Sequence, residues 1–492
     1  MNPVDLLLTG HPGDRRCGVD SRRAMTYGEM REAVTRYAGR LAAAGVRPGS
    51  RAVVVADDSL AAIAAVLGLW WHGCVPVLLH PMLRDAEVAF VVRDCSAELA
   101  DLHVAPGRAA ALRGELAGVR TELPAGSGGP AGPPADFGDT DELLVQYTSG
   151  STGRPRGVRH CLAGVRAVLA GMGSLLALGP DDVVLSTAKL SFGYGFGNSL
   201  LLPYAAGAGS VLLDGPADGF GIAAALARHR PTVLLSVPRL YAGLLRLAEQ
   251  GKPVDVSSLR LAVATGEHLP AELATRIREL VGVPLVNGFG ATEVLHTVVA
   301  AVVGEGAPFG PGSIGVPVPG VTATVRDDAG RPVGADTPGR LHISAASVGL
   351  GYVDRPAETA RTFADGGVYT GDIALRTAAG ELRHVARADD MLLLGGYKIA
   401  PAEIEEVLRR VPGVADCAVV GSTDAAGLAQ ATAYVVVRDS VEPAAARQAV
   451  KAALRDLAPY KRPSRVEILD ALPTTSTGKL ARFRLRDGGG SA

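Results

Sequence analysis

The chain has 492 residues, 48% of them hydrophobic and 20% charged, with a formal net charge of -1. That is a globular balance with ample apolar material for cores, and the length sets an expectation of about two to four domains. Near-neutral charge argues against nucleic acid or an anionic membrane surface as a partner, and the short basic pairs Arg15-Arg16 and Lys461-Arg462 do not alter that.

Along the chain, Met1–Gly10 carries Asp5 and no basic start, so it does not read as a secretory signal. Arg51–Ala56 is a short β-branched strand, and the Ala/Leu-rich run Ser59–Trp71 predicts a helix. Its apolar part, Leu60–Trp71, is too short to span a bilayer. A Gly/Pro-rich stretch, Pro124–Pro134, leads to an apolar strand at Leu143–Gln146. Thr232–Ser236 and Leu261–Ala264 are further strands, each followed by a helical stretch, and Pro284–Val286 is another strand. A second Gly/Pro-rich segment spans Gly304–Gly315. This alternation predicts an α/β fold with a largely parallel, doubly wound sheet. Tyr369–Val385 reads as short strands joined by a turn at Ala378-Ala379-Gly380. The character of the chain changes near Arg387. After it come an amphipathic helix, Ala400–Arg410, with Pro401 at its start, strands at Ala415–Gly421 and Ala431–Val437, and a helix at Ala444–Ala458. That is a small α+β domain, closed by a Gly/Ser-rich tail, Asp487–Ala492, expected to be disordered. The cysteines Cys17, Cys74, Cys95, Cys161 and Cys417 form no CxxC pair, so they suggest neither a zinc site nor a disulfide framework and fit a reducing cytoplasm.

Four segments carry chemistry. Tyr147–Val158 reads YTSGSTGRPRGV and follows an apolar strand. Its glycines let backbone N–H groups approach an anion, and Thr148, Ser149, Ser151 and Thr152 add hydroxyl donors. The reading is a polyphosphate clamp, and GxxxxGK[ST] is absent, so it is not a Walker A loop. Asn287–Thr297 reads NGFGATEVLHT; Gly288 and Gly290 admit a flat ligand, and Glu293 beside Thr292 is a handle for Mg²⁺. Asp372, in a Thr-Gly-Asp turn, is placed to accept hydrogen bonds from both hydroxyls of a ribose. Lys479 stands alone in a Thr/Gly loop, where a lysine acquires a role only if it reaches developing negative charge.

Together these segments resemble the acyl-adenylate-forming superfamily of acyl-CoA synthetases, adenylation domains and luciferases, in order and spacing, over about Thr26 to Arg486. The resemblance implies a large N-terminal domain with doubly wound sheets, residues 1–387, which binds acid and ATP. It implies a hinge at 388–390 carrying Asp389, and a small mobile α+β domain at 391–486. Thr148, Ser149, Gly150, Ser151, Thr152 and Gly153 resemble the phosphate loop. Ala264, Gly266 and Glu267, with Asn287, Gly288, Phe289 and Gly290, resemble the walls around adenine. Thr292 would contact the α-phosphate, Glu293 would hold Mg²⁺, Asp372 would bind ribose with Arg387 beside it, and Lys479 would bridge acid and α-phosphate. The family's small domain rotates after adenylation, taking the lysine out and bringing the 392–400 loop in to line a pantetheine tunnel. One position departs: the loop usually ends Pro-Lys-Gly, and here it reads Pro155-Arg156-Gly157. Arginine keeps the charge but not the compact ammonium, which bears on loop order or pyrophosphate release.

Within the superfamily, Ser186–Ala208 looks most like the benzoate–CoA ligase group. Ser191-Phe192-Gly193-Tyr194 offers no aspartate to pair an α-ammonium, which argues against α-amino acids. By resemblance, Phe192 is an aromatic gate, and Gly193, Tyr194, Gly195, Tyr241, Ala264, Leu295 and His296 line the acid pocket. Tyr194 or His296 would bond a ring hydroxyl or amine, with a helix cap as the plain alternative for His296. The implied function is ATP-dependent activation of an aryl acid. The acceptor is CoA or, alternatively, the phosphopantetheine of a separate carrier protein loaded with an aryl or β-amino acid. A homodimer is the family's common state.

Overall fold

The computed structural model describes residues 1–124, 126, 130–148, 155–215, 217–303, 309, 312–394, 397–423, 429–438, 441–457, 459–474 and 480–486. The chain divides into two units. The first comprises Met1–Thr324, His342–Thr370 and Thr377–Arg383; the second comprises Val325–Leu341, Gly371–Arg376 and His384–Ala492.

Two sheets with parallel centres organise the first unit. One runs Leu99–His103, Arg51–Ala56, Val75–Leu79, Glu142–Thr148, Arg156–Cys161. Its first four strands are parallel and the last is antiparallel. The other has a parallel run of Leu285–Gly290, Leu261–Thr265, Val233–Ser236, Val183–Ser186, Gly209–Val211 and Arg16–Val19. Antiparallel neighbours flank that run: Ala24–Thr26 on one side, Thr297–Val303 and then Ser313–Pro317 on the other. Unbroken apolar runs such as Val75–Leu79, buried at every position, are what parallel strands covered on both faces require. The strand expected at Pro284–Val286 continues to Gly290, so the site motif begins inside the sheet.

The helix Leu60–His72 stands as predicted, with Ser59 Oγ accepting from the Ala62 amide at 3.2 Å. Ile63, Leu67 and Trp70 are fully buried. The Trp70 indole donates to the Leu143 carbonyl at 2.7 Å and so ties this helix to the strand that leads into the phosphate-loop segment.

In the second unit, Val414–Thr423, Ala429–Val437 and Arg465–Leu469 form a three-stranded sheet, the first pair antiparallel and the second parallel. The helix Pro401–Arg409 buries Ile404 and Leu408 in the same apolar core. The helix expected over Ala444–Ala458 is shorter, Pro443–Ala453, followed by a 3₁₀ turn at Leu454–Asp456. Pro459 opens another such turn, and a proline disfavours helix in the residue before it. Ala458 lies outside the described residues, as does the tail 487–492. All five cysteines are buried and unpaired. Among the described residues no helix is long and apolar enough to cross a membrane.

Glu405 holds the second unit's core polar contacts together. Only 2% exposed, its carboxylate accepts from Arg482 Nη1 at 2.6 Å, Arg409 Nη2 at 3.1 Å and the Val419 amide at 2.8 Å. Desolvation opposes its charge, but the Arg482 guanidinium and its neighbours outweigh that and keep the carboxyl below the usual carboxylate range. Glu405→Ala should cost the second unit about 3 kcal/mol, because a buried guanidinium loses its main counter-charge. Denaturant unfolding followed in that unit checks this: the midpoint falls while the slope is kept.

Candidate functional site

The phosphate-loop segment is a hairpin whose base is fixed. Thr148 pairs with Arg156 and Tyr147 with Gly157 across the antiparallel strands. The connecting residues, including the predicted Ser149, Gly150, Ser151, Thr152 and Gly153, lie outside the described residues. Tyr147 donates its hydroxyl to Asp94 at 2.7 Å, and Arg355 holds the other oxygen of that carboxylate at 2.6 Å. Arg156 does not hang free. Its guanidinium pairs with Glu358 at 3.1 Å and sits 5.0 Å above the ring centre of Tyr352. Tyr352, 4% exposed, donates its hydroxyl to Glu293 at 2.7 Å. Burial, with the Glu293 carboxylate beside it, pushes that phenol well above its ordinary value, so it stays a donor. Hairpin base and predicted metal carboxylate are therefore linked by one tyrosine.

The second motif forms a tight turn. Asn287, Gly288, Phe289 and Gly290 end the strand Leu285–Gly290; Thr292 and Glu293 lie in a 3₁₀ turn, Thr292–Val294; Leu295 adopts φ 68. A leucine in that region is strained, and such positions persist where surrounding packing enforces them. The packing here is the short helix Gly193–Phe196. A Cβ on Gly193 would meet the Leu295 carbonyl oxygen at 2.4 Å, and one on Gly197 would meet His296 Cδ2 at 2.3 Å. Phe192 precedes this helix, with Tyr194 and Gly195 inside it, and the Tyr194 and His296 rings lie 5.5 Å apart. A strand, Thr297–Val303, follows His296, so the helix-cap alternative for that residue falls away.

The neighbouring strand brings the third predicted wall into place. Ala264 pairs with Asn287 and Thr265 with Gly288 in parallel register. Gly266 then turns the chain at φ 94, and Glu267 accepts from the Arg239 amide at 3.2 Å. The Asn287 amide donates to the Ser313 carbonyl at 2.8 Å, a role within the sheet. Tyr241 is fully buried, its hydroxyl 3.0 Å from the Leu234 carbonyl and 3.2 Å from that of Val263. It therefore stands behind the strands with its hydroxyl committed.

In the second unit, Asp372 is 4% exposed. One carboxylate oxygen lies 2.9 Å from His384 Nε2 and the other 2.9 Å from Arg387 Nη1. Asp389 is exposed in the turn Ala388–Asp390, its carbonyl accepting from Arg486 at 3.0 Å. Lys479 lies outside the described residues; Thr474 and Leu480 on either side of that segment form an antiparallel bridge. Tyr352, Asn198 and His384 carried no role in the sequence on their own, and Thr265 entered only as part of the ATGE segment. Tyr352 is 59 residues from the glutamate it bonds, a separation that no local motif signals.

Comparison with known proteins identifies the family; its two models cover the segments 147–158 and 287–297 and Lys479, but not Asp372, Arg387 or Asp389. The model of the AMP-binding enzyme family matches residues 8–353, and that of the AMP-binding enzyme C-terminal domain matches residues 403–479. The chain is 33% identical to a 4-hydroxybenzoate–CoA/benzoate–CoA ligase of Rhodopseudomonas palustris, covering 98% of this chain and 93% of the relative. It is 32% identical to a 3-hydroxybenzoate–CoA/4-hydroxybenzoate–CoA ligase of Thauera aromatica, covering 99% and 97%. Among solved structures, a benzoate CoA ligase from Burkholderia xenovorans superposes with TM-score 0.90 at 31% identity, covering 99% of this chain and all of that one. An anthranilate CoA ligase in complex with anthranoyl-AMP also gives 0.90, at 29% identity over 99% and 97%.

Two buried histidines flank the turn, and both are neutral. Burial pushes His296 down to about 4 and His160 down to about 3. Below the unfolded value of about 6.5, the unfolded rings bind protons that the folded ones refuse. Stability is therefore present above pH 6.5 and lost as pH falls, by about 2 kcal/mol per ring at pH 5. His160→Gln should lose less stability between pH 7 and pH 5 than the parent in urea unfolding; equal losses would contradict the assignment.

Proposed function

The chain belongs to the AMP-binding enzyme family, and we propose that it joins an aryl carboxylic acid, a benzoate or substituted benzoate, to CoA at the expense of ATP. The observation that carries this reading is the wall formed where Gly193–Phe196 meets Leu295 and His296: it brings together an aromatic ring, a neutral imidazole and no carboxylate. An α-ammonium there would be buried without a counter-charge, whereas a flat ring suits close-packed glycines and aromatic edges.

The chemistry has two steps. An oxygen of the acid's carboxylate attacks the α-phosphorus of ATP, and pyrophosphate leaves. A thiol then attacks the acyl carbon, AMP leaves, and the thiol proton passes to solvent. Lys479 supplies the charge that bridges carboxylate and α-phosphate in the first step, and Thr292 donates to that phosphate. Thr148 to Gly153 clamp the polyphosphate. Ala264 to Glu267 and Asn287 to Gly290 flank adenine. Asp372, kept in place by His384 and Arg387, accepts from the ribose hydroxyls.

Glu293 suits Mg²⁺. One of its oxygens receives the Tyr352 hydroxyl, and the anionic carboxylate is half-buried. Among the described residues no group of three or more His, Cys, Asp or Glu side chains could hold a metal ion. A single carboxylate sharing the ion with substrate phosphates is the usual arrangement for Mg²⁺. Bound there, the ion neutralises charge on the phosphate oxygens. The domain limits 1–387 and 391–486, the hinge 388–390 with Asp389, a homodimeric state and a cytoplasmic location are part of the same reading. The location is supported by five unpaired thiols.

Pyrophosphate exchange into ATP should be strong with aryl acids and absent with α-amino acids, and CoA should convert the product to a thioester. Exchange with α-amino acids alone would overturn the reading. Lys479→Ala should lower exchange about 10²- to 10³-fold, with ATP affinity by calorimetry nearly unchanged.

A further inference from the structure

Buried polar atoms that the protein's own hydrogen bonds leave unsatisfied gather beside the predicted acid pocket, and their polarity can be worked out. Ser186 Oγ donates to the Ala188 carbonyl at 3.3 Å, so towards Asn198 Nδ2, 3.5 Å away, it accepts. That turns the Asn198 amide oxygen to His296, 3.1 Å from Nε2. An amide oxygen only accepts, so Nε2 carries the ring proton. The imidazole is neutral, which makes Nδ1 a bare acceptor. The Cδ2–Nε2 edge lies against Gly197, leaving Nδ1 on the opposite edge; the Tyr194 backbone carbonyl lies beside the ring, but among the described residues no hydrogen bond of ordinary geometry reaches Nδ1. The hydroxyls of Tyr194 and Thr265 are likewise buried and unpartnered. Thr265 and Asn198 lie beside the Tyr194 hydroxyl, and neither closes a hydrogen bond of ordinary geometry with it. His296 and Thr265 are each 2% exposed.

Native interiors pair their buried polar atoms, and several orphans in one place call for an outside partner. Resting on the aryl-acid reading, we propose that the preferred acid carries a hydrogen-bond donor on its ring, a hydroxyl or an amino group, which donates to His296 Nδ1 and exchanges hydrogen bonds with Tyr194 and Thr265. A phenol or an aryl amine satisfies a bare acceptor. A methoxy group or a halogen has no hydrogen to give, and an unsubstituted ring leaves the acceptor unpaired. Sites built around such a bond reject the analogue lacking it more sharply than an apolar pocket rejects a change of shape.

The test is ATP–pyrophosphate exchange by the full chain with benzoate and its hydroxy, amino and methoxy derivatives at each ring position. At least one hydroxy or amino acid should exceed benzoate in kcat/KM by about 30-fold, the scale of one buried partner left unpaired, and its methoxy counterpart should not. In His296→Phe that preference should shrink to about threefold with the apparent KM for ATP held. Thr265→Val, a smaller change, should narrow it in part and serves if His296→Phe does not fold. Benzoate equal to the best substituted acid, or a methoxy acid equal to its hydroxy counterpart, overturns the proposal and leaves the aryl-acid reading standing. No exchange with any aryl acid overturns that reading itself.

Discussion

The turn Ala291–His296 is pressed so closely against the segment Gly193–Gly197 that neither Gly193 nor Gly197 could carry a side chain. The Leu295 carbonyl occupies the space of a Gly193 Cβ, and the His296 ring that of a Gly197 Cβ. From this contact the rest of the site takes its positions. It pins Leu295 in a left-handed conformation, sets His296 beside Tyr194, and leaves Thr292 and Glu293 half-exposed at the sheet's end. Interiors packed at crystal-like density transmit such a constraint rather than absorb it. The pocket that would receive the acid and the residues that would meet phosphate are thus parts of one rigid contact.

Much of this was legible in the sequence for a local reason. Phosphate-loop flanks, the ATGE segment and the NGFGATE segment each lie at the end of an apolar strand, and strand ends are where backbone N–H groups become available to a ligand. Gly288 and Gly290, expected to admit a flat ligand, instead make room for the protein itself: a Cβ there would meet the Thr265 hydroxyl at 2.5 Å and the His296 carbonyl at 2.4 Å. The partners of these motifs were not legible. Tyr352 meets Glu293, Arg355 meets Asp94, and Asn198 sets the tautomer of His296 only once the sheets are assembled. The alternative of a helix cap for His296 does not hold, because the motif leads into an antiparallel strand, and periodicity over so short a segment does not separate the two. The helix that opens at Pro443 is shorter than its apolar periodicity, giving way at Leu454–Asp456 to a 3₁₀ turn.

Arg156 shows how a departure from the family pattern is accommodated. A planar guanidinium can stack and pair at once, and here it does both, over Tyr352 and against Glu358. An ammonium has no plane to lay on the ring. The substitution therefore ties the end of the hairpin to the tyrosine that faces Glu293, a connection that a compact point charge makes less well.

The five cysteines acquire a meaning from the chemistry. An acyl-adenylate is an acylating agent, and thiolates are its natural targets. Every thiol of this chain is buried, and desolvation pushes those of Cys17 and Cys74 up to about 11 and those of Cys95 and Cys417 up to about 12. At neutral pH fewer than about one in a thousand of those four is ionised, and none of the five is presented at the surface. The chain's own cysteines therefore offer little thiolate to an acyl-adenylate.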